Sequence, residues 1–263
     1  MELNKLKIVI LTSNGLRHKF FANSLTSHVD DALIISECKP TSSIELNSEI
    51  LSEIDEHFIL RDDTEKLFFP NNDFFHAKTL PILYKEVNLN YVYDVVKKFQ
   101  PDIMFIFGSY IIREPLLSLL PPGRIINLHL GLSPYYRGSG TNFWPFVNNE
   151  LHFLGSTILH LDSGIDTGDI ICHVRPEFTI DDNVHTIGCK IIESSVKKLI
   201  EIINLIKNGK TLNRTKQWVV NERYYKTKDF DQNALDQYKK NLENGIIKNF
   251  MQNKQNQIKL VDL

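Results

Sequence analysis

Short apolar runs that do not alternate with polar residues recur through the first half of the chain. Lys7-Ile-Val-Ile-Leu-Thr12, Ala32-Leu-Ile-Ile-Ser36, Asp102-Ile-Met-Phe-Ile-Phe-Gly108 and Arg124-Ile-Ile-Asn-Leu-His129 each fit a parallel strand buried on both faces. Between them, Leu16 to His28 carries Leu16, Phe20, Phe21 and Leu25 at helical spacing, and Tyr91 to Gln100 is an amphipathic helix closed by Pro101. Glu114 to Leu119 predicts a short helix, followed by the turn Pro121-Pro-Gly123, and Leu46 to Ile54 is compatible with another helix. Residues 57–90 mix Phe, Asn, Asp and Pro and follow no regular period. The order strand, helix, strand predicts an α/β fold, a Rossmann-like open and mostly parallel sheet with helices on both faces. Such sheets hold ligands at the carboxyl ends of their strands.

After residue 150 the pattern changes. Phe153 to Leu161 and Asp169 to Val174 read as strands around the loop Asp162-Ser-Gly-Ile-Asp-Thr-Gly168. Val184 to Ile206 is a long helix with the apolar stripe Ile187, Ile191, Val196, Leu199, Ile202, Ile203 and Ile206, stopped at Asn208-Gly209. Residues 210–263 carry more base than acid and few large apolar residues at their end. The expectation is a catalytic domain over 1–209 and a small C-terminal extension with a frayed terminus over 210–263, with neither repeats nor low-complexity tracts.

Composition narrows the class. The chain has 263 residues, 42% hydrophobic and 24% charged, as globular proteins do, and a net charge of −2 gives it no global attraction to nucleic acid or anionic membrane. Cys38, Cys172 and Cys189 are odd in number and scattered, which argues against a disulfide framework or a thiolate zinc site and for a reducing compartment. The apolar run near the N-terminus is too short for a signal peptide, and nothing approaches a membrane span. A soluble, cytoplasmic protein without nucleic-acid or membrane partners is expected.

Three polar residues stand where a core prefers apolar ones. Asn127 and His129 occupy alternate positions of one strand, so their side chains share a face at its carboxyl end. Asp166 lies between Gly164 and Gly168, in a loop able to approach a backbone or ligand closely. Each alone has an ordinary explanation: a satisfied core histidine, an asparagine capping a turn, an aspartate making a loop. Their joint spacing points to chemistry.

The stretch Ile126-Asn-Leu-His-Leu-Gly-Leu-Ser-Pro-Tyr-Tyr-Arg-Gly138 resembles the signature of the folate-dependent formyltransferases, in which an Asn-x-His pair opens a loop of the form Pro-Ser-Leu-Leu-Pro. The family includes glycinamide ribonucleotide formyltransferase, methionyl-tRNA formyltransferase and the N-formyltransferases of nucleotide-linked aminosugars. Asp162-Ser-Gly-Ile-Asp-Thr-Gly-Asp169 is similar to the loop bearing the family's catalytic Asp, and Pro101-Asp-Ile-Met-Phe-Ile-Phe-Gly-Ser-Tyr-Ile-Ile112 to the strand and turn lining its pterin pocket. The three fall in the family's order. Leu130 and Gly131 replace the family's first Pro and Ser at unchanged length, which bears on the loop's shape and not on the three polar residues.

The resemblance implies N10-formyltetrahydrofolate as formyl donor, no metal, and catalysis by Asn127, His129 and Asp166. Gly108, Tyr110, Ile111, Ile112, Asp162, Gly164 and Ile165 would face the donor. On this reading Asn127 and His129 polarise the formyl oxygen, while Asp166 orients His129 and assists proton transfer, with direct attack by the amine and no acyl-enzyme.

For the acceptor, Asn14, Gly15, Arg17 and His18 at a strand-to-helix junction suit an anion, though plain punctuation explains them equally. Tyr135, Tyr136 and Arg137 suit a sugar or base and a phosphate. Gly138-Ser-Gly-Thr-Asn-Phe-Trp-Pro-Phe146 is similar to a stretch of the sugar-nucleotide enzymes, and Phe143 and Trp144 fit helix packing as well. The resemblance thus favours a nucleotide-linked 4-amino-dideoxysugar acceptor, as used in surface polysaccharide. The alternatives are glycinamide ribonucleotide, methionyl-tRNA, water (a formyltetrahydrofolate hydrolase) and a non-catalytic nucleotide-binding module. His57, His76, His173 and His185 are expected to be solvated or structural, with His57 and His76 in loops. Trp218, Tyr224 and Tyr225 suit either a homodimer interface or spare surface.

Overall fold

The computed structural model describes residues 5–39, 51–253 and 258–263. The first apolar run is β1 (Lys7–Ser13), followed by α1 (Leu16–Thr26) and β2 (Asp31–Cys38). The expected helix over Leu46 to Ile54 lies mostly outside the described residues. The unassigned stretch contains α2 (Glu53–Phe68) and β3 (Lys78–Leu83), so His57 belongs to a helix and not a loop. The chain continues with α3 (Asn90–Phe99), β4 (Ile103–Phe107) and β5 (Ile125–His129). The short helix expected at Glu114 to Leu119 is a single 3-10 turn, Leu116–Ser118. Next come β6 (Tyr136–Gly138), α4 (Trp144–Val147), β7 (Ser156–His160), β8 (Ile170–Val174) and the long α5 (Val184–Lys207). Residues beyond 210 form β9 (Arg223–Tyr225), α6 (Gln232–Glu243) and α7 (Ile246–Gln252).

Seven strands make one sheet in the order β3-β2-β1-β4-β5-β7-β8. β1 to β5 are mutually parallel, and β7 and β8 close one edge antiparallel. Strand alternation sends Ile8, Ile10, Phe105, Ile126 and Leu128 to one face, beneath α1 and the stripe of α5. Val9, Leu11, Met104, Ile106 and Ile125 take the other face, against Val92 and Val96 of α3. The strand order reverses between β1 and β4, the place where open sheets leave a crevice at their carboxyl ends.

A second apolar cluster forms beside the sheet. Tyr136, Phe143, Trp144, Phe146 and Leu151 pack with Ile187 and Ile191 of α5 and with Leu235, Tyr238, Ile246 and Ile247 of α6 and α7. Residues beyond 209 therefore share a core with the body of the chain. The two-stranded sheet β6–β9 adds backbone pairing between the two. The last residues are held where fraying was expected: His173 and Val261 exchange two hydrogen bonds of 2.8 Å, and Lys259 N–H donates to the Tyr135 hydroxyl at 3.0 Å.

Candidate active site

Asn127 and His129 sit on the face of β5 that Ile125 begins, in the half of the strand beyond the apolar cluster that buries Ile125. Asn127 lies beside Ile106 of β4 and opposite Leu159 of β7. β7 runs antiparallel to β5 and ends opposite Ile126, so residues 162–168 must fold back to reach these side chains. The loop is shaped from within: Asp162 accepts hydrogen bonds from Gly164 N–H at 3.0 Å and from the Thr167 hydroxyl at 2.8 Å. Asp166 itself adopts a left-handed φ of 54°, a conformation Asp tolerates better than most residues.

That geometry brings the three expected catalytic side chains together. Asp166 Oδ2 lies 3.3 Å from His129 Nδ1, and Asn127 Nδ2 is 3.4 Å from Asp166 Oδ1. Gly138 N–H donates to Asp166 Oδ2 at 3.2 Å, a partner the sequence did not single out. His129 and Asp166 retain only 6% and 12% side-chain exposure, so their interaction is little screened by water. The other ring nitrogen, Nε2, lies 3.0 Å from the Tyr136 carbonyl. A carbonyl only accepts, which places a proton on Nε2 and leaves Nδ1 facing the carboxylate as the nitrogen able to take or give one.

The loop proposed for the donor leaves the carboxyl end of β4, next to β5. Ile112, with Tyr110 alongside, packs into the same apolar cluster as Ile106 and Ile125. Gly108 has φ 72°, and a Cβ there would stand 2.2 Å from His18 Nε2. The loop is gripped by Glu37, a fully buried carboxylate at the end of β2. Glu37 accepts from Lys85 N–H at 2.9 Å, the Ser109 hydroxyl at 3.0 Å and Tyr110 N–H at 2.5 Å. Glu37 was not among the expected site residues, although an acidic residue closing an apolar strand is a local signal for one. Ile111 and Ile165 leave 41% and 40% of their surface open, one in each loop, as apolar area a flat ring could cover.

The expected acceptor residues fall elsewhere. Asn14 and Gly15 are exposed where β1 passes into α1. Arg17 is bound to Glu65 of α2 through its backbone N–H, Nε and Nη2, an ion pair that competes with any phosphate for its guanidinium. His18 lies against Phe107, with ring centroids 4.9 Å apart. Burial, then Arg17, Lys39 and Arg61, hold its pKa well below the usual imidazole value. Tyr136 is fully buried: its hydroxyl donates to Glu150 at 2.5 Å, and burial pushes its pKa up. Trp144 stacks on Tyr225 at 3.9 Å and 6°. Tyr136 and Trp144 are both buried in the second apolar cluster, where large aromatic surfaces are stabilised by packing against one another. Tyr135 lies on Phe153 and Trp218, and Arg137 is held by Glu222 and Gln217.

Of the histidines, His173 and His185 are buried and structural. His57 and His185 come within 4.5 Å, ring to ring. Among the described residues no group of three His, Cys, Asp or Glu side chains is placed to hold a metal ion. No helix there is long and apolar enough to cross a membrane.

Residues 64–203, just over half of the chain, match the Formyl transferase family. The chain belongs to that family. A methionyl-tRNA formyltransferase of Desulforamulus reducens is 31% identical over 128 residues, covering 48% of this chain and 40% of that protein. A second methionyl-tRNA formyltransferase, of Clostridium tetani, is 34% identical over 114 residues, 42% of this chain and 36% of that one. The chain thus spans well under half the length of these relatives.

Among solved structures, a 4-N formyltransferase from Francisella tularensis superposes with TM-score 0.57 at 21% identity, covering 89% of this chain and 86% of that one. The N-formyltransferase of Helicobacter canadensis, in complex with folinic acid and dTDP-3-aminofucose, gives TM-score 0.57 at 19% identity over 86% and 72% of the two chains. Phosphoribosylglycinamide formyltransferase of Anaplasma phagocytophilum gives 0.58 at 16%, over 85% and 100%. At these identities the likeness speaks for the fold, and it agrees with the mostly parallel α/β sheet expected from the sequence.

Proposed function

We propose that this chain moves a formyl group from N10-formyltetrahydrofolate to a primary amine, the amino group of a nucleotide-linked 4-amino-dideoxysugar. The observation that carries the reaction is the convergence of Asn127, His129 and Asp166 beside the loop that follows β4. The donor supplies a formyl group activated on a folate nitrogen. Attack by the amine forms a new C–N bond and drives charge onto the formyl oxygen. Asn127 Nδ2–H donates to that oxygen; its 3.4 Å contact to Asp166 is long, so re-aiming it costs little. Removing such a donor costs about 3–4 kcal/mol of barrier. His129 is turned by its Tyr136 contact so that Nδ1 faces Asp166, and the two pass the amine's proton toward the departing nitrogen, directly or through one water.

The choice of acceptor is supported by the Gly138-to-Phe146 resemblance and by a fold neighbour, an N-formyltransferase in complex with dTDP-3-aminofucose. A second reading, methionyl-tRNA, is favoured by the names of the curated relatives.

The test is tetrahydrofolate release from N10-formyltetrahydrofolate with each amine in turn: aminosugar nucleotides, glycinamide ribonucleotide and methionyl-tRNA. Release that needs an aminosugar nucleotide, and that collapses in Asn127→Ala, His129→Ala and Asp166→Ala, supports the proposal. Equal release without any amine identifies a hydrolase, and wild-type turnover in Asp166→Ala refutes the mechanism.

A further inference from the structure

We infer that Gln217 is a positioning residue that holds the loop of Asp166 against β5, an inference that rests on the formyl-transfer reading above. The internal bonds of Asp162 give residues 162–168 their shape but do not determine where Asp166 stands relative to His129. Gln217 does reach that loop. Its Nε2 donates two hydrogen bonds, to the Asp166 carbonyl at 2.7 Å and to the Gly168 carbonyl at 2.9 Å. Two acceptors on one nitrogen use both amide hydrogens.

The opposite end of the amide sets its orientation. Gln217 Oε1 accepts from Arg137 Nη2 at 2.7 Å, so the amide cannot flip without setting its NH2 against a guanidinium and its oxygen against two carbonyls. Arg137 precedes Gly138, whose N–H holds the carboxylate of Asp166. The residue is thus held at both ends: Gly138 at the side chain, and Gln217, itself braced by Arg137, at the backbone. The Gln217 backbone is anchored in turn, because Thr215 and Ile170 exchange two hydrogen bonds of 2.8 and 3.0 Å at the start of β8. Gln217 lies outside residues 64–203 that match the family.

A left-handed Asp whose own carbonyl and that of Gly168 are held by one bond each is sensitive to their loss, since displacing a reacting group by about 1 Å can cost about a hundredfold in rate. The test compares wild type, Gln217→Glu, Gln217→Met and Asp166→Asn in the tetrahydrofolate-release assay, alongside thermal denaturation and amide hydrogen exchange. Both Gln217 variants keep the side chain's length and lose its donors. The expected result is kcat lower by roughly ten- to a hundredfold with the donor KM and Tm little changed, and faster exchange of the amides of residues 164–168 but not of β1 or β4.

Unchanged kcat in both variants while Asp166→Asn is inactive overturns the positioning role and leaves the functional reading standing. A parallel fall in kcat, donor affinity and Tm also overturns it, as plain destabilisation. Full turnover in Asp166→Asn instead removes Asp166 from the mechanism, and absence of tetrahydrofolate release by the wild type with every amine sinks the functional reading. In either case, unchanged exchange of the loop amides in Gln217→Met refutes the clamp on its own.

Discussion

Replacing Glu37 with Leu removes the carboxylate that grips the loop after β4 without opening a large cavity, because the two side chains are similar in volume. Three donors lose their acceptor: Lys85 N–H, the Ser109 hydroxyl and Tyr110 N–H. The hydroxyl can turn to another partner, but the two backbone groups cannot. Each orphaned backbone donor costs about 1–3 kcal/mol, so the sum for the two is roughly 2–6 kcal/mol. Relief from burying the charge offsets part of this, and the low end of the range applies if the loop opens to water. For a chain of this size 1 kcal/mol shifts Tm by about 2–4 °C, which gives a fall of roughly 4–24 °C by calorimetry. The same loop carries Tyr110, Ile111 and Ile112, so steady-state kinetics should show the donor KM rising by more than kcat falls. A Tm within about 2 °C of wild type would show that water or a neighbour replaces the carboxylate at no cost. A large Tm loss with an unchanged donor KM would remove the loop from the donor site.

Three further outcomes follow from the packing. Trp144→Ala deletes a buried ring stacked on Tyr225 and should cost about 3–5 kcal/mol in a denaturant titration; a cost below about 1 kcal/mol would show that the second cluster does not depend on it. Gly168→Ala would place a Cβ 1.8 Å from the His160 carbonyl, so the loop of Asp166 must shift, and turnover should fall sharply while β1 and β4 keep their hydrogen-exchange protection. Burial lowers the pKa of His185 to about 3, helped by His57, Arg61 and Arg17, and that of His57 to about 4, helped by Arg61 and Lys239. Both are neutral when folded, and the unfolded chain protonates them near 6.5, so the stability they contribute is present above that pH and is lost as pH falls from 6.5 toward 4. His185→Leu should flatten the decline of Tm over that window, and an unchanged slope would locate the acid sensitivity elsewhere.

Elements whose burial repeats along the chain were legible in the sequence. β1 and β4 are apolar on both faces because helices cover both, and α5 shows its stripe because one side faces the sheet. The stretch from 57 to 90 was opaque for a reason visible in α2: its buried residues are Thr64 and Glu65, while Leu60 and Leu67 are 52% and 81% exposed. An element that buries a carboxylate for Arg17 and turns leucines to solvent has no apolar period to read. Its start was marked nonetheless by the capping box of Ser52 and Asp55, with Asp55 N–H donating to the Ser52 hydroxyl at 3.1 Å. β3 carries Pro81 and is admissible only because it is an edge strand. Tyr136 and Trp144 read as pocket residues because aromatics serve pockets and cores alike. The choice is made by Tyr225 and Glu150, which no local pattern announces.

The site divides along the same line. Alternation on one strand suffices to set Asn127 and His129 side by side, so their pairing could be read from two letters of sequence. Asp166 could be nominated but not placed, since β7 carries the chain away from His129 before the loop brings it back. What completes its return acts across the chain: Gly138 N–H from 28 positions away and Gln217 from 51, while Glu37 reaches 73 positions to Tyr110. Reactive atoms lie in short motifs because chemistry constrains their identity, whereas their supports need only deliver a donor or an acceptor to the right point and can come from anywhere in the fold. A chain that retained all three side chains and lost these supports would keep its signature, and on the geometry here it would lose the alignment of carboxylate and imidazole on which proton transfer depends.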